Sequence, residues 1–291
     1  MALDAGRVRV LVEVAHAGSI AAAAARMGFT PSALSQQLAK LEREVGTALI
    51  ERGRAGTRLT GPGQVLLEHG ERVLGELRDA EQAVRAAAGA EPRRIAVGAF
   101  STAARTLLPR ALAALKEERP GIRTSLVDIE PPDGYGLVAA RELDLLVTHR
   151  YPGVALPAVR GLRRRLLLRD PLRLVLPRGH RLATAPEIAL ADLADEDWVS
   201  GAPGVPNRVC LDSLGPLHVA YETRDYEVTL ALVEAGLGVS FVPASLLGGQ
   251  RGVVVRDLRG RAPVREVHVV HPPRPSAAVV ELLSRLRPAD P

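Results

Sequence analysis

One short stretch of the chain carries polar side chains in a pattern suited to binding a surface rather than to catalysis. In residues 29–46, FTPSALSQQLAKLEREVG, Leu34, Leu38, Leu41 and Val45 recur at helical spacing and form one apolar side of a predicted helix. The opposite side has small or polar residues, one cation and no acid: Ser32, Ser35, Gln36, Ala39 and Lys40. Such a face favours a partner that is anionic and rich in hydrogen-bonding edges.

The placement of charge along the first part of the chain supports this interpretation. No Asp or Glu occurs from Val14 to Leu41, and none occurs from Arg52 to Leu67. The second window holds three arginines within seven positions, which are Arg52, Arg54 and Arg58. Acid-free windows are expected where a surface approaches phosphates, although an alanine-rich sequence also produces them by chance.

Helix start and stop signals place the polar face in a short helical array. Asp4, Ser19 and Thr30 are suited to cap the starts of three helices, and Gly18 and Gly28 are suited to end the first two. Two helices joined by a short turn that contains Gly, the second with a polar face, predict a helix-turn-helix.

The next segments predict a wing and a long helix. ALIER and TRLT flank a basic, Gly-rich tip, and residues 61–63 are expected to close this module. A helix is predicted from Gln64 to Ala88. It carries a heptad-like seam that either packs on its own chain or pairs two chains, formed by Leu66, Val73, Leu77, Ala80, Val84 and Ala87.

From residue 93 onward, short β-prone segments alternate with helical segments, the first of them a helix over residues 104–121. This alternation predicts an α/β fold with a mostly parallel sheet. The pattern restarts near Pro171, so two lobes with a cleft between them are expected, and the last strand and helix are expected to return to the first lobe. The predicted domains are residues 1–63, 64–91 and 92–291, with lobe I at about 92–168 and 264–291 and lobe II at about 169–263.

Composition excludes several classes of protein. The chain has 291 residues, 47% of them hydrophobic and 24% charged, as in ordinary globular proteins. Its single cysteine, Cys210, excludes an intrachain disulfide framework and a cysteine-rich zinc site. We find no signal peptide and no long apolar span, so we expect a cytoplasmic protein without a membrane partner. Catalytic and phosphate-binding motifs are absent from the sequence, and we expect no enzymatic activity, cofactor or metal.

Residues 18–63, GSIAAAAARMGFTPSALSQQLAKLEREVGTALIERGRAGTRLTGPG, resemble the winged helix-turn-helix of the LysR-type family of bacterial transcriptional regulators. LVLPRGHRLA and LVEAGLGVSFVP resemble two signatures of the effector-binding domain of that family. Ile20 and Ile50 depart from the family pattern, which more often has an aromatic residue there, and both positions belong to the core.

The resemblance implies a sequence-specific regulator that binds a double-stranded DNA operator, with the helix from Thr30 to Val45 in the major groove. Gln36 would bond to an adenine edge, and the wing arginines would hold phosphates. The linker helix would pair two subunits in a homodimer that assembles further into a homotetramer. The implied DNA-binding residues are Thr30, Pro31, Ser32, Ala33, Ser35, Gln36, Lys40, Arg52, Arg54 and Arg58.

The resemblance also implies a two-lobed domain similar to periplasmic solute-binding proteins, with a small-molecule effector in its cleft. The low aromatic content of 3% favours a polar or carboxylated metabolite. Candidate residues follow predicted strands, where polar groups also serve as helix caps: Ser101, Thr102, Glu130, Thr148, His149, Ser200, Gly201 and Thr223. The amides and hydroxyls of Ser101 and Thr102, where a strand ends and a helix starts, are expected to hold a carboxylate of the effector. Two alternatives stay open, a regulator without an effector and a ligand-binding protein or enzyme that carries an incidental helical domain.

Overall fold

The computed structural model describes residues 3–53, 56–89, 94–158, 161–249, 252–260 and 262–286. The first part is a three-helix array with helices α1 (Ala5–Ala17), α2 (Ile20–Met27) and α3 (Pro31–Val45). A small antiparallel hairpin follows, made of β1 (Ile50–Gly53) and β2 (Gly56–Leu59). We call these elements the head.

The helix boundaries in the head follow from capping, as predicted. The side chains of Asp4, Ser19 and Thr30 accept backbone N–H groups in the first turns of α1, α2 and α3, and left-handed glycines end the same helices. The leucines Leu34, Leu38 and Leu41 of α3 are buried against α1 and α2. The helix-turn-helix and the wing predicted from the sequence are therefore confirmed.

A long helix, α4 (Gly61–Ala87), follows the wing directly. The prediction that the long helix starts at Gln64 was wrong, since residues 61–63 form the first turn of α4. The hydroxyl of Thr60 accepts the N–H of Gly63 at 3.0 Å and so caps the helix. Gly63 is required because a Cβ there would lie 2.0 Å from the backbone oxygen of Leu49.

The described residues from Arg94 onward form a second domain, whose seven-stranded sheet has the order β10-β6-β11-β5-β3-β4, with β9 also paired to β6. We call it the effector domain, after the role that the resemblance implies. Its strands are β3 (Arg94–Ala99), β4 (Arg123–Asp128), β5 (Leu145–Arg150), β6 (Arg163–Pro177), β9 (Ser240–Pro243), β10 (Val253–Arg256) and β11 (Val264–His271). Two further strands, β7 (Trp198–Ser200) and β8 (Val219–Glu222), pair separately in parallel.

The sheet is mixed, so the prediction of a mostly parallel sheet was wrong. Only the β4, β3 and β5 segment is parallel, whereas β11 and β6 run antiparallel to their neighbours. The cause is the strand β6, which is 15 residues long. Its first half pairs with β11 in lobe I, and its second half pairs with β9 and β10 in lobe II. One strand therefore joins the two lobes.

The helices of this domain are α5 (Ser101–Thr106), α6 (Leu108–Glu118), α7 (Tyr135–Ala139), α8 (Pro206–Asp212), α9 (Tyr226–Glu234) and α10 (Ala277–Arg285). The single helix expected over residues 104–121 is split between α5 and α6, because Pro109 lies in the first turn of α6, where its missing N–H costs nothing. Helix α10 packs with α6 on the core of lobe I, as predicted for the last element.

Within the part of the chain that the structure describes, no single helix has both the length and the apolar character needed to cross a membrane. Helices α1 and α2 reach those limits only when taken together, and they meet at an angle of 120°.

Candidate functional site

The outer face of α3 is open to solvent along its whole length. Pro31, Ser32, Gln36 and Lys40 are exposed, while Ala33 and Ser35 are half-buried. The hydroxyl of Thr30 accepts the N–H of Ala33 at 3.2 Å, so it is occupied as a cap. Gln37 is also exposed, although the sequence analysis did not name it. Gln37 lies four residues after Ala33 and three before Lys40, so helical spacing places it on the same face, and this spacing could have identified it.

The acids around this face are engaged in contacts within the head. One carboxylate oxygen of Glu42 accepts the N–H groups of Leu49 and Ile50, at 2.8 and 3.3 Å. Glu44 pairs with Arg7 at 2.8 Å. These contacts join α3 to the wing and to α1, and they use the negative charge of both acids to hold the fold. The exposed face of α3 is left with its amides, hydroxyls and Lys40.

The wing lies beside the start of α2, since the N–H of Thr57 donates to the backbone oxygen of Gly18 at 3.3 Å. Arg58 is exposed on β2. Arg52 pairs with Thr57 through the backbone of β1, and Arg54 lies outside the described residues. The hairpin therefore carries at least one arginine that is free to approach a phosphate.

The predicted seam on α4 divides into two parts. Leu66 packs against the core of the head. The rest of the seam is solvent-exposed at spacings of four and three residues, and includes Val73, Leu77, Ala80, Val84 and Ala87. Val84 is 70% exposed, which is unusual for a large apolar side chain. Most of the apolar stripe is thus unpartnered within the single chain.

In lobe I, the structure brings together three of the predicted effector residues. Glu130 accepts the backbone N–H of Ser101 at 3.4 Å and lies 3.2 Å from the Nε2 atom of His149. Thr102, next to Ser101, is buried. The Ser101 amide that was expected to bind a carboxylate therefore already faces a carboxylate of the protein.

Burial and the contact between Glu130 and His149 together determine the charge of these two side chains. Burial acts to raise the pKa of Glu130, but the interactions of its carboxylate with His149, with the N–H of Ser101 and with Arg265 together outweigh burial, and the pKa is lowered overall. Burial lowers the pKa of His149. At neutral pH the pair consists of a carboxylate and a neutral imidazole, so the cleft offers a hydrogen-bond acceptor with a negative charge.

Thr148 does not join these residues. Successive side chains of a strand point to opposite faces, and β5 places His149 beside Phe100 and Tyr151 while Thr148 takes the other face. Thr148 is 1% exposed, and its hydroxyl has no hydrogen-bond partner among the described residues. Thr148 and His149 both lie at the end of the same strand, but the alternation of side chains along a strand separates them.

In lobe II, Ser200 and Thr223 lie together at the ends of β7 and β8. The N–H of Thr223 donates to the backbone oxygen of Ser200 at 2.8 Å, and the hydroxyl of Thr223 accepts the N–H of Asp225 at 3.1 Å. Gly201 is closely packed, since a Cβ there would lie 2.4 Å from the Oδ1 atom of Asn207. The hydroxyl of Thr223 therefore organises the turn before α9.

The two lobes meet through residues that the sequence analysis missed. The hydroxyls of Tyr151 in lobe I and Tyr226 in lobe II are 2.6 Å apart, and burial raises the pKa of both. Arg105 of α5 also forms an ion pair with Glu227 of α9. The two tyrosines were among only four in the chain, and their rarity was the one signal that marked them.

A buried ion pair lies beneath this contact. Arg265 on β11 donates to Asp170 on β6 at 2.7 Å, and their side chains are 2% and 3% exposed. Asp170 also accepts the N–H and the hydroxyl of Ser245, which follows β9. The guanidinium lies 5.1 Å from the ring centre of Phe100. Asp170 thus joins β6 to β11 and to the residues after β9, at the position where β6 passes from lobe I to lobe II.

Among the described residues, no three His, Cys, Asp or Glu side chains are grouped so that they would hold a metal ion. The structure thus presents a polar helix face with a basic hairpin, an exposed apolar stripe on α4, and the Glu130 carboxylate beside Ser101 and His149.

Two family models match the sequence and together take in most of it. Residues 6–64 match the model described as a bacterial regulatory helix-turn-helix protein of the lysR family. Residues 88–290 match the LysR substrate binding domain.

Relatives with known names agree with these matches. The chain is 35% identical over 201 residues to the small neutral protease regulatory protein of Streptomyces coelicolor, covering 68% of this chain and 60% of that relative. It is 31% identical over 290 residues to the HTH-type transcriptional regulator CbbR of Xanthobacter flavus, covering 97% of this chain and 84% of the relative. The chain thus spans less than two thirds of the first relative and most of the second.

Solved structures show the same fold. Full-length OxyR from Pseudomonas aeruginosa, carrying a cysteine-to-aspartate substitution, superposes with a TM-score of 0.71 at 22% identity, covering 98% of this chain and 95% of that one. CbnR in complex with its target DNA superposes with a TM-score of 0.53 at 22% identity, covering 97% and 98%. The predicted fold class is confirmed.

Proposed function

This chain belongs to the LysR family of bacterial regulators, and from that premise we propose that it is a transcriptional regulator whose binding to an operator responds to a small molecule. The observation that carries the proposal is the acid-free, exposed face of α3 beside a basic hairpin. An α-helix of this kind fits the major groove of DNA, and the cations of the hairpin fit the phosphates.

In this proposal α3 is the recognition helix. Gln36 is exposed near its middle and forms bidentate hydrogen bonds with an adenine edge. Ser32, Ser35 and Lys40 contact neighbouring bases or phosphates, while Pro31 and Ala33 contact a thymine methyl. Arg52, Arg54 and Arg58 hold the backbone of the duplex and add affinity without sequence preference.

We further propose that α4 pairs two chains into a dimer and that dimers assemble into tetramers. The exposed stripe from Val73 to Ala87 supports this, because an apolar seam at heptad spacing packs against a second helix. A two-fold dimer requires a pseudo-palindromic operator. We place the protein in the cytoplasm, where bacterial DNA is found, and propose that it is not an enzyme.

The effector is proposed to bind between the lobes, near Ser101, Glu130 and His149. Because Glu130 brings a negative charge to this wall, we propose that the effector presents an amine or another hydrogen-bond donor there. A carboxylate on the same molecule would lie toward Ser200, Gly201 and Thr223 in lobe II. This revises the expectation that Ser101 and Thr102 hold a carboxylate.

Selection of binding sites from random duplexes with the full-length protein tests the proposal. The wild type is expected to select a pseudo-palindrome. Gln36→Ala should lose preference at one base position in each half-site, by about 1–3 kcal/mol of discrimination. Lys116→Ala, on an exposed position of α6 in the effector domain, is the control and should select the wild-type site. Failure of the wild type to enrich any duplex would contradict the assignment.

A further inference from the structure

A cluster of charged side chains joins the head to lobe I of the effector domain. Three parts of the chain contribute to it: α1 and α2 of the head, the linker helix α4, and the segment that follows α7. We call this cluster the latch, and its members are Glu13, His16, Arg26, Glu71, Arg78 and Glu142.

Glu142 is the member contributed by lobe I, and cations from three helices surround it. Its carboxylate lies 3.7 Å from the Nδ1 atom of His16, 3.3 Å from Arg26 and 3.9 Å from Arg78. These cations belong to α1, α2 and α4 respectively. One carboxylate of the effector domain thus contacts both helices that precede the recognition helix, as well as the linker.

Carboxylates of the head and of α4 balance this charge. The Nε2 atom of His16 lies 2.8 Å from Glu71, and Arg26 also lies 3.4 Å from Glu13, which is 6% exposed. Both ring nitrogens of His16 therefore face a carboxylate, an arrangement that suits the doubly protonated imidazolium. Three cations and three carboxylates make the latch neutral when His16 is charged.

Two glycines beside the latch have no room for a larger side chain. A Cβ on Gly75 of α4 would lie 2.2 Å from the backbone oxygen of Ala139 in α7. A Cβ on Gly136 of α7 would lie 2.1 Å from Glu71 and 2.9 Å from His16. Helix α7 is therefore in direct contact with both α4 and the charged groups of the head.

Next to the latch, Arg141 has a left-handed backbone with φ of 60°. A residue other than glycine rarely adopts this conformation, and it persists where its surroundings enforce it. Here the guanidinium of Arg141 makes two hydrogen bonds to Asp79 of α4, at 2.8 and 2.7 Å. Contact with α4 thus holds the segment that carries Glu142 in a strained conformation.

We propose that the latch fixes the orientation of the DNA-binding head relative to the effector domain, so that opening it at Glu142 changes how the protein holds DNA. The segment from Glu130 to Glu142 also runs from the cleft to the latch through α7, which gives a ligand a short route to the head. That route rests on the proposed effector site, whereas the latch itself does not, and the experiment below uses no ligand.

The test compares full-length wild type with Glu142→Gln, which keeps the shape of the side chain and removes its charge. Glu44→Gln is the matched control, because Glu44 pairs with Arg7 inside the head and has a similar exposure of 21% against 19% for Glu142. Hydrogen exchange in α7 should become roughly tenfold faster in Glu142→Gln and stay unchanged in Glu44→Gln.

The pKa of His16 is a second readout, which NMR of the histidine side chains measures. Burial acts to lower this pKa, but the nearby carboxylates of Glu142 and Glu71 raise it to about 9. It should fall toward 6.5 in Glu142→Gln and remain near 9 in the control. Wild-type exchange in α7 together with a wild-type His16 pKa would show that Glu142 does not hold the head.

The bend that the protein imposes on operator DNA, measured by gel mobility of permuted fragments, tests the consequence. Glu142→Gln should change the bend. Glu266→Gln should not, because it removes a carboxylate of similar exposure, 22%, that pairs with Arg150 inside lobe I. If Glu142→Gln does not fold, Gly136→Ala serves instead, since its methyl group displaces Glu71 from His16 without any change of charge. An opened latch with an unchanged bend would overturn the proposal, because the cluster would then be a structural contact only.

Discussion

The head and the effector domain bury different kinds of side chain. Among the described residues, Glu13 is the one buried polar group of the head. The effector domain buries many more, including Thr102, Thr148, His149, Asp170, Ser200, Thr229, Ser240, Arg265 and His268. The head keeps an apolar interior and places its polar groups outside, where DNA can reach them. The effector domain places polar groups inside and at the contact between its lobes.

This difference indicates where each domain is sensitive to change. An exposed amide or cation contributes little to folding, so the surface of the head can be altered without loss of structure. A buried charge costs several kcal/mol when its partner is removed. Substitution of polar groups should therefore affect DNA binding in the head and stability in the effector domain.

The largest expected effect is at the buried pair of the effector domain. Arg265→Met leaves the Asp170 carboxylate buried with only Ser245 as a donor, and should lower the free energy of unfolding by about 3–5 kcal/mol. Urea denaturation followed by fluorescence measures this, because Trp198, the single tryptophan of the chain, is fully buried in lobe II.

The control for Arg265→Met is Glu44→Gln, which breaks the half-buried pair with Arg7 in the head and should cost about 1 kcal/mol or less. The double variant Arg265→Met with Asp170→Asn should recover part of the loss, since it buries no unpaired charge. If Arg265→Met and Glu44→Gln lowered the free energy of unfolding equally, the proposed difference in sensitivity between the two domains would be wrong.

The next effect concerns α4, which lies between the two domains. Leu77 is 49% exposed in the single chain, so Leu77→Glu should leave the fold intact and dissociate the dimer by placing charge in the seam. Analytical ultracentrifugation would show the change in mass. Val280→Glu on α10, at a position that is 53% exposed, is the control and should remain a dimer. A stable Leu77→Glu dimer would show that this stripe is not the interface.

Sequence reasoning succeeded where structure depends on near neighbours. The caps at Asp4, Ser19 and Thr30 and the apolar spacing in α3 involve residues a few positions apart, and the helices were predicted from them. The wing was predicted from two short β-prone segments that flank a Gly-rich tip. It failed at residues 61–63, because Gly and Pro fit a turn as well as the first turn of a helix. The deciding contact, between Gly63 and Leu49, depends on the fold of the wing.

Long-range pairing explains most of what the sequence did not reveal. Asp170 and Arg265 are 95 positions apart, and each on its own reads as a solvated residue at a strand edge. The latch joins Arg26 to Glu142 across 116 positions. The cleft was only partly predicted: Ser101, Glu130 and His149 meet, whereas Tyr151 and Tyr226 carried no motif. Strand alternation alone would have separated Thr148 from His149.

The most direct test of the account is the salt dependence of operator binding. Arg52→Ala, Arg54→Ala and Arg58→Ala together remove the three phosphate contacts that we propose for the wing. The slope of log affinity against log salt concentration should become shallower by about 2–3 units, with weaker binding to every duplex. The control removes the same charge from exposed positions of the effector domain, with Arg110→Ala, Lys116→Ala and Arg123→Ala, and should keep the wild-type slope. A wing variant with the wild-type slope, or a control with the shallower one, would contradict the assignment of DNA binding to the head.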